Sequence, residues 1–301
     1  MKAQTKWSWL IAIYLFLAGL GGGAYVAGVI ADFAGWTTGI SKIGILLGFP
    51  CVFIGCMCLI AHLGKPAKFW RAFMRPGTSW IARGTIIIST FMILDFLHII
   101  LWIWPFPEVL GSSEVLRYHI GILGVIFAFG TMIYTGILLG ASRPIAFWST
   151  AMLPLLFLVS ALSTGFMTVI LFSSAAGIEN EGLALLERMD IILIILEIFV
   201  LAFYLQGTHR VSESRASAKL VLSGAVAPLF WFGVAILGLL VPLVLDLMGM
   251  FALTGCGTQT VILLASASGI IGGLFLRQVI LSGGIHAPLK SGRFEYGLTN
   301  V

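Results

Sequence analysis

Residues 62–84 read HLGKPAKFWRAFMRPGTSWIARG, the longest polar interruption in a chain that is otherwise largely apolar. Lys65, Lys68, Arg71, Arg75 and Arg83 fall in it, five of the seventeen Lys and Arg. Phe69, Trp70, Phe73 and Trp80 are interleaved with these charges, and Pro66 and Pro76 bracket a short helical piece. This mixture suits a membrane surface, where aromatic and aliphatic groups dip into the headgroup layer and cations stay in water. The stretch therefore reads as a surface connection, and the apolar runs on either side of it, Ile40–Ala61 and Trp80–Trp104, read as membrane spans.

Composition extends that reading to the whole chain. The 301 residues are 59% hydrophobic and 10% charged, against about 25% charged in a soluble domain. Mean hydropathy is +1.08. A span needs about 20 apolar residues. Six further runs qualify: Trp7–Ala31, Tyr118–Gly140, Phe147–Phe172, Arg188–Leu205, Leu220–Leu245 and Thr258–Ser282. The expectation is an all-α membrane protein of eight transmembrane helices. Residues 1–301 form a single integral membrane domain, with residues 283–301 as a C-terminal tail. Lys2 and Lys6 before the first run resemble a signal peptide, but the run exceeds the roughly 7–15 residues of an h-region and reads as a retained span.

Eight spans put both termini on one side, the N-terminal face. Thirteen of the Lys and Arg fall there (Lys2, Lys6, Lys65, Lys68, Arg71, Arg75, Arg83, Arg143, Arg210, Arg215, Lys219, Lys290 and Arg293), and only Lys42, Arg117 and Arg188 on the opposite face. That bias predicts a cytoplasmic N-terminal face. The net charge of +5 belongs to these connections and leaves no nucleic-acid footprint. Cys51, Cys56, Cys58 and Cys256 do not assemble a zinc or iron–sulfur set and read as small packing residues.

Glycines at 19, 21, 22, 23 and 28 mark the first run as a close-packing helix. The fifth run has a similar small-residue patch at Ser160–Gly165. In both, the patch follows Leu-Phe-Leu (15–17 and 156–158), a hint of two related halves.

Ionisable groups inside spans are costly and are functional candidates. Asp95 and His98 share one face of the third run, three residues apart. Asp190 and Glu197 share a face of the sixth, and Arg277 lies in the eighth. An internal ion pair such as Glu197 with Arg277 would only hold helices together. Their spread in depth suits instead a polar track that carries protons. Tyr14 and Tyr134 lie toward the N-terminal face, where a phenol can serve either as an interfacial anchor or as a hydrogen-bond donor to a quinone carbonyl. A b-type haem needs two histidines at matched depth. Among His62, His98, His119, His209 and His286, only His98 and His119 form such a pair.

Several separate segments, in the same order, resemble the NrfD/PsrC family of polysulfide reductase-type membrane subunits. They are WLIAIYLFLAG in the first run, the 62–84 stretch as HLxxPxxFW…SW…RG, YTGILL in the fourth, ERMDIILIILEIF in the sixth, GLLVPLVL in the seventh and LRQVILSGG in the eighth. The resemblance implies two four-helix bundles and no haem or iron–sulfur cluster in this chain. It implies exchange of electrons between menaquinone or ubiquinone and a four-cluster ferredoxin-like iron–sulfur subunit, commonly joined to a molybdopterin catalytic subunit, in a bacterial or archaeal inner membrane. By position, Tyr14 and Tyr134 correspond to the family's quinone pocket, with His62 and Arg83 beside them. The polysulfide reductase branch has a histidine where this chain has Tyr14. Asp95, His98, Asp190, Glu197 and Arg277 are then expected on a proton pathway, and Lys65, Lys68, Arg71 and Arg75 at the partner's docking surface. Polysulfide reductase-like members dock that partner outside, against the charge bias here. A secondary transporter, a haem b anchor and a purely structural anchor are the rival readings.

Overall fold

The computed structural model describes residues 9–36, 38–62, 66–74, 76–103, 113–141, 144–178, 180–208, 211–250, 258–285, 289–291 and 294–296. The helices are α1 (Trp9–Phe33), α2 (Thr38–His62), α3 (Trp80–Ile103), α4 (Ser113–Gly140), α5 (Met152–Ala175), α6 (Glu181–Gly207), α7 (Ser212–Ser223), α8 (Val241–Met250) and α9 (Thr258–Ser282). A 3-10 helix, Pro66–Phe73, lies between α2 and α3, and a π-helix, Leu229–Leu240, runs directly into α8. Among the described residues, eight helices are long and apolar enough to cross a membrane. Helices suit that environment because each satisfies its own backbone groups where no water can.

Burial separates the spans into inner and outer helices. The apolar window of α1 is 83% buried and that of α5 72%, against 28–44% for the other six. The glycines of α1 and the small patch of α5 explain this, because the two pack on one another. A Cβ at Gly23 would run into the Ala161 carbonyl, and one at Gly165 into the backbone of Gly23. Backbones this close leave no room for side chains, the usual geometry of small-residue crossings in membranes. Around this axis α1 packs on α2 and α4, α3 on α2 and α4, α5 on α6 and α9, and the π-helix on α9. Large apolar side chains such as Phe232, Ile192, Ile93 and Phe199 point outward, as lipid contact requires.

Two boundaries differ from the sequence expectation. The seventh span does not begin at Leu220. Residues 212–223 form the separate helix α7, and the span runs Leu229–Gly249. Gly224 follows α7 in extended backbone (φ −104, ψ −155) and Pro228 precedes the π-helix, so the apolar run is broken between them. The sixth span starts about two turns before Arg188, at Glu181, where the Asn180 side chain accepts the Leu183 N–H at 2.9 Å and caps the helix. In the tail, Leu289–Ser291 pairs antiparallel with Phe294–Tyr296 in a short hairpin.

The α4–α5 connection tucks inward. Trp148 Nε1 donates to the Ile280 carbonyl at 2.8 Å, and the Tyr204 hydroxyl donates to the Phe147 carbonyl at 2.7 Å. Phe147 and Trp148 are fully buried, which ties α4, α5, α6 and α9 together at the N-terminal face. At the opposite face Gln259 Nε2 donates to the Ser174 carbonyl at 2.7 Å, joining α9 to α5.

Candidate functional sites inside the bundle

Tyr14 on α1 and Tyr134 on α4 come together. Both are buried, and each phenol lies within electrostatic range of the other, with Cys56 of α2 also near Tyr14. Gly84 positions the second phenol: a Cβ there would overlap the Tyr134 ring, so the ring lies flat against the first turns of α3. His62 closes α2 at the same end and is exposed. Arg83 is exposed too. Its Nε donates to the Pro76 carbonyl at 2.8 Å and its Nη2 to the Gly77 carbonyl at 2.7 Å, with the guanidinium 4.8 Å from the Trp80 ring centroid. In this structure Arg83 therefore braces the connection to α3.

That connection matches its amphipathic sequence. Phe69, Trp70 and Phe73 of the 3-10 helix are exposed beside exposed Lys68 and Arg71, and Arg71 lies 5.9 Å from the Trp70 ring. Lys65 and Arg75 lie outside the described residues.

The five interior ionisable groups divide into two clusters. Asp95 and His98 belong to the first, with Tyr25 of α1. The Tyr25 hydroxyl and His98 Nδ1 are 2.9 Å apart, and all three residues are fully buried. The Asp95 carboxyl sits over Gly48 of α2, where a Cβ would strike it, two residues before the helix-interior Pro50. The Phe49 amide faces that carboxyl, and His98 Nε2 has no hydrogen-bond partner among the described residues. The His98 ring stacks on Trp102 at 5.8 Å, and Arg117 lies 4.4 Å over the same Trp102 and 3.4 Å from Asp32. The cluster thus leads toward the opposite face. His119 is exposed and its Nδ1 donates to the Val115 carbonyl at 2.7 Å.

Asp190, Glu197 and Arg277 form the second cluster, among α5, α6 and α9. Glu197 and Arg277 make no direct ion pair among the described residues. Both face Ser160 of α5: the guanidinium donates to its hydroxyl through Nη1, and the carboxyl lies beside the same hydroxyl. Arg277 further donates to the carbonyls of Gly273 (3.3 Å) and Phe157 (3.4 Å) and lies 5.0 Å over the Phe157 ring. Two turns along α6, Asp190 Oδ1 accepts from Ser163 Oγ at 2.8 Å, while Oδ2 has no partner among the described residues.

Tyr25, Ser160 and Ser163 join these clusters unannounced by the sequence. They sit in the small-residue patches that read as packing, and no spacing rule marks a serine that faces a carboxylate on another helix.

Eight apolar helices with a few ionisable groups enclosed among them define a polytopic membrane protein. The chain belongs to the NrfD family: residues 1–288 match the family described as Polysulphide reductase, NrfD. It is 30% identical over 262 residues to one of the polysulfide reductase chains of Wolinella succinogenes, covering 80% of this chain and 82% of that one. It is 27% identical to Protein NrfD of Escherichia coli, covering 92% and 94%, and 21% identical to a selenate reductase subunit of Mesobacillus selenatarsenatis, covering 96% and 76%.

Proposed function

We propose that this chain is the quinone-reactive membrane subunit of an oxidoreductase complex. It exchanges two electrons between menaquinone or ubiquinone in the bilayer and a four-cluster ferredoxin-like iron–sulfur subunit, and a molybdopterin subunit acts on the soluble substrate. Two of the relatives are named as individual chains or subunits of reductases, which supports a multi-subunit assembly. The observation that carries the quinone reading is the convergence of Tyr14 and Tyr134 from two spans, near the face that bears the basic connection.

Two phenols fit the chemistry of a quinone head. Each hydroxyl can donate to a carbonyl oxygen, and each ring offers an apolar wall. Oxidation of quinol releases two electrons and two protons. The phenols hold the oxygens that lose those protons, and Lys68 and Arg71 offer a cationic surface for an acidic partner. The charge bias supports termini in the cytoplasm; protease access to residues 65–75 in oriented vesicles tests this.

Tyr134→Phe in the assembled complex tests the site. Quinol oxidation is expected to fall by roughly 10- to 100-fold, as loss of a charge-stabilising donor to the reacting oxygen would give. Unchanged turnover in both Tyr134→Phe and Tyr14→Phe would refute the assignment.

A further inference from the structure

At the opposite face α6, α8 and α9 enclose a cavity of ≈ 380 Å³. Its wall carries Glu187, Arg188, Asp246, Asn180 and Gln259, with Ile191 among the apolar lining. Glu187 and Asp246 are only partly buried. Asp190, three residues beyond Glu187 on the same helix face, is 1% exposed and lies within electrostatic range of both carboxyls. Its Oδ1 is held by Ser163, and its buried Oδ2 has no partner among the described residues. A carboxyl oxygen buried about one helical turn below a polar cavity is costly unless water or a proton reaches it.

The line continues inward. Ser163 and Glu197 both border a second, smaller space of ≈ 10 Å³, at the lower limit for one water. Its far wall is made by Val234, Gly238 and Leu239 of the π-helix. Wider i→i+5 turns of this kind recur at functional positions inside helices. Glu197 then meets Ser160, and Ser160 meets Arg277. From Glu187 to Glu197 the groups descend about 15 Å along α6.

We propose that the cavity is the aqueous mouth of a proton path, that Glu187 and Asp246 exchange protons with water there, and that Asp190 is the first enclosed carrier beyond them. Protons pass from the mouth through Asp190, Ser163 and the smaller space to Glu197, or in reverse. The other cluster, Asp95 with Tyr25 and His98, lies apart from this line and is closed at the same face by the Asp32–Arg117 pair. The proposal rests on reading Glu197 and Arg277 as a proton route in a quinone-reactive subunit.

Two measurements test it. In full-length chain with its four cysteines replaced by alanine, Ile191→Cys lines the cavity and Ile194→Cys lies fully buried below it. A membrane-impermeant maleimide is expected to label the first from the opposite face and to spare the second. This arm needs no quinone. In the complex reconstituted into vesicles, Glu187→Gln with Asp246→Asn is expected to lower the protons moved per quinol at least twofold, while Glu181→Gln on the exposed first turn changes nothing. No labelling at Ile191→Cys, an unchanged ratio in the double variant, or no translocation by the wild-type complex overturns the proposal. A wild-type complex that fails to oxidise quinol defeats the quinone reading, and the labelling result still decides whether water reaches the cavity.

Discussion

The Tyr25 hydroxyl meets Nδ1 of His98 at 2.9 Å, joining α1 to α3 in the apolar interior. Gly124 of α4 makes room for it, since a Cβ there would strike the Tyr25 hydroxyl. With His98 Nε2 unpartnered among the described residues, the cluster is only partly satisfied, and loss of the Tyr25–His98 hydrogen bond should be felt strongly.

Tyr25→Phe removes that bond and leaves a buried imidazole nitrogen bare. The expected cost is about 1–3 kcal/mol, read as a lower unfolding midpoint of the purified chain in detergent. Adding His98→Leu should recover part of the loss, because replacing both partners removes the unpaired group. A double variant less stable than the sum of the singles would contradict this account.

Gly84→Ala places a methyl group where the Tyr134 ring lies. Overpacking of this kind costs about 1–3 kcal/mol. Tyr134→Ala in the same chain should relieve it, so the pair should unfold at a higher temperature than Gly84→Ala alone. Quinol oxidation should stay low in the pair, since the phenol is gone.

Glu197→Gln keeps a polar amide beside Ser160 and removes a titratable group from the centre of the second cluster. Proton translocation by the reconstituted complex should be lost while quinol turnover persists. Equal translocation in variant and wild type would remove Glu197 from the path. Ser160→Ala instead strips a partner from both Glu197 and Arg277 and should cost about 1–3 kcal/mol of stability.

Asp32 and Arg117, 3.4 Å apart and partly exposed, should contribute little by their charges. Asp32→Asn is expected to cost about 0–1 kcal/mol. Arg117→Ala should cost more, since it also removes the cation from the Trp102 ring, worth about 0.5–1 kcal/mol. Comparing the two variants at low and high salt separates the contributions, because salt screens the ion pair and leaves the ring contact nearly intact.

Much of the fold was legible because a bilayer asks a one-dimensional question. Where apolar runs are long enough, a span follows, and eight were countable. The seventh boundary failed because the apolar count ignored Gly224 and Pro228, which end one helix and precede the next. The ionisable residues were legible as candidates because charge in hydrocarbon is rare. Their partners were not. Ser160 and Ser163 looked like packing residues, and the bonds of Arg83 to the Pro76 and Gly77 carbonyls are not written in its position.

The basic aromatic stretch at 62–84, the all-helical membrane class and the few interior charges are properties of residue type and order, so the sequence alone determined them. Side-chain partnership across helices is a matter of rotation and depth, which periodicity within one helix does not fix. Only the tertiary structure set the glycines of α1 against the small patch of α5. Only it brought Tyr14 beside Tyr134, placed Ser160 between Glu197 and Arg277, and sorted the interior charges into two clusters. The physical reason is that spans with similar apolar surfaces can pack in many registers, and close backbone contacts at a few small residues select one.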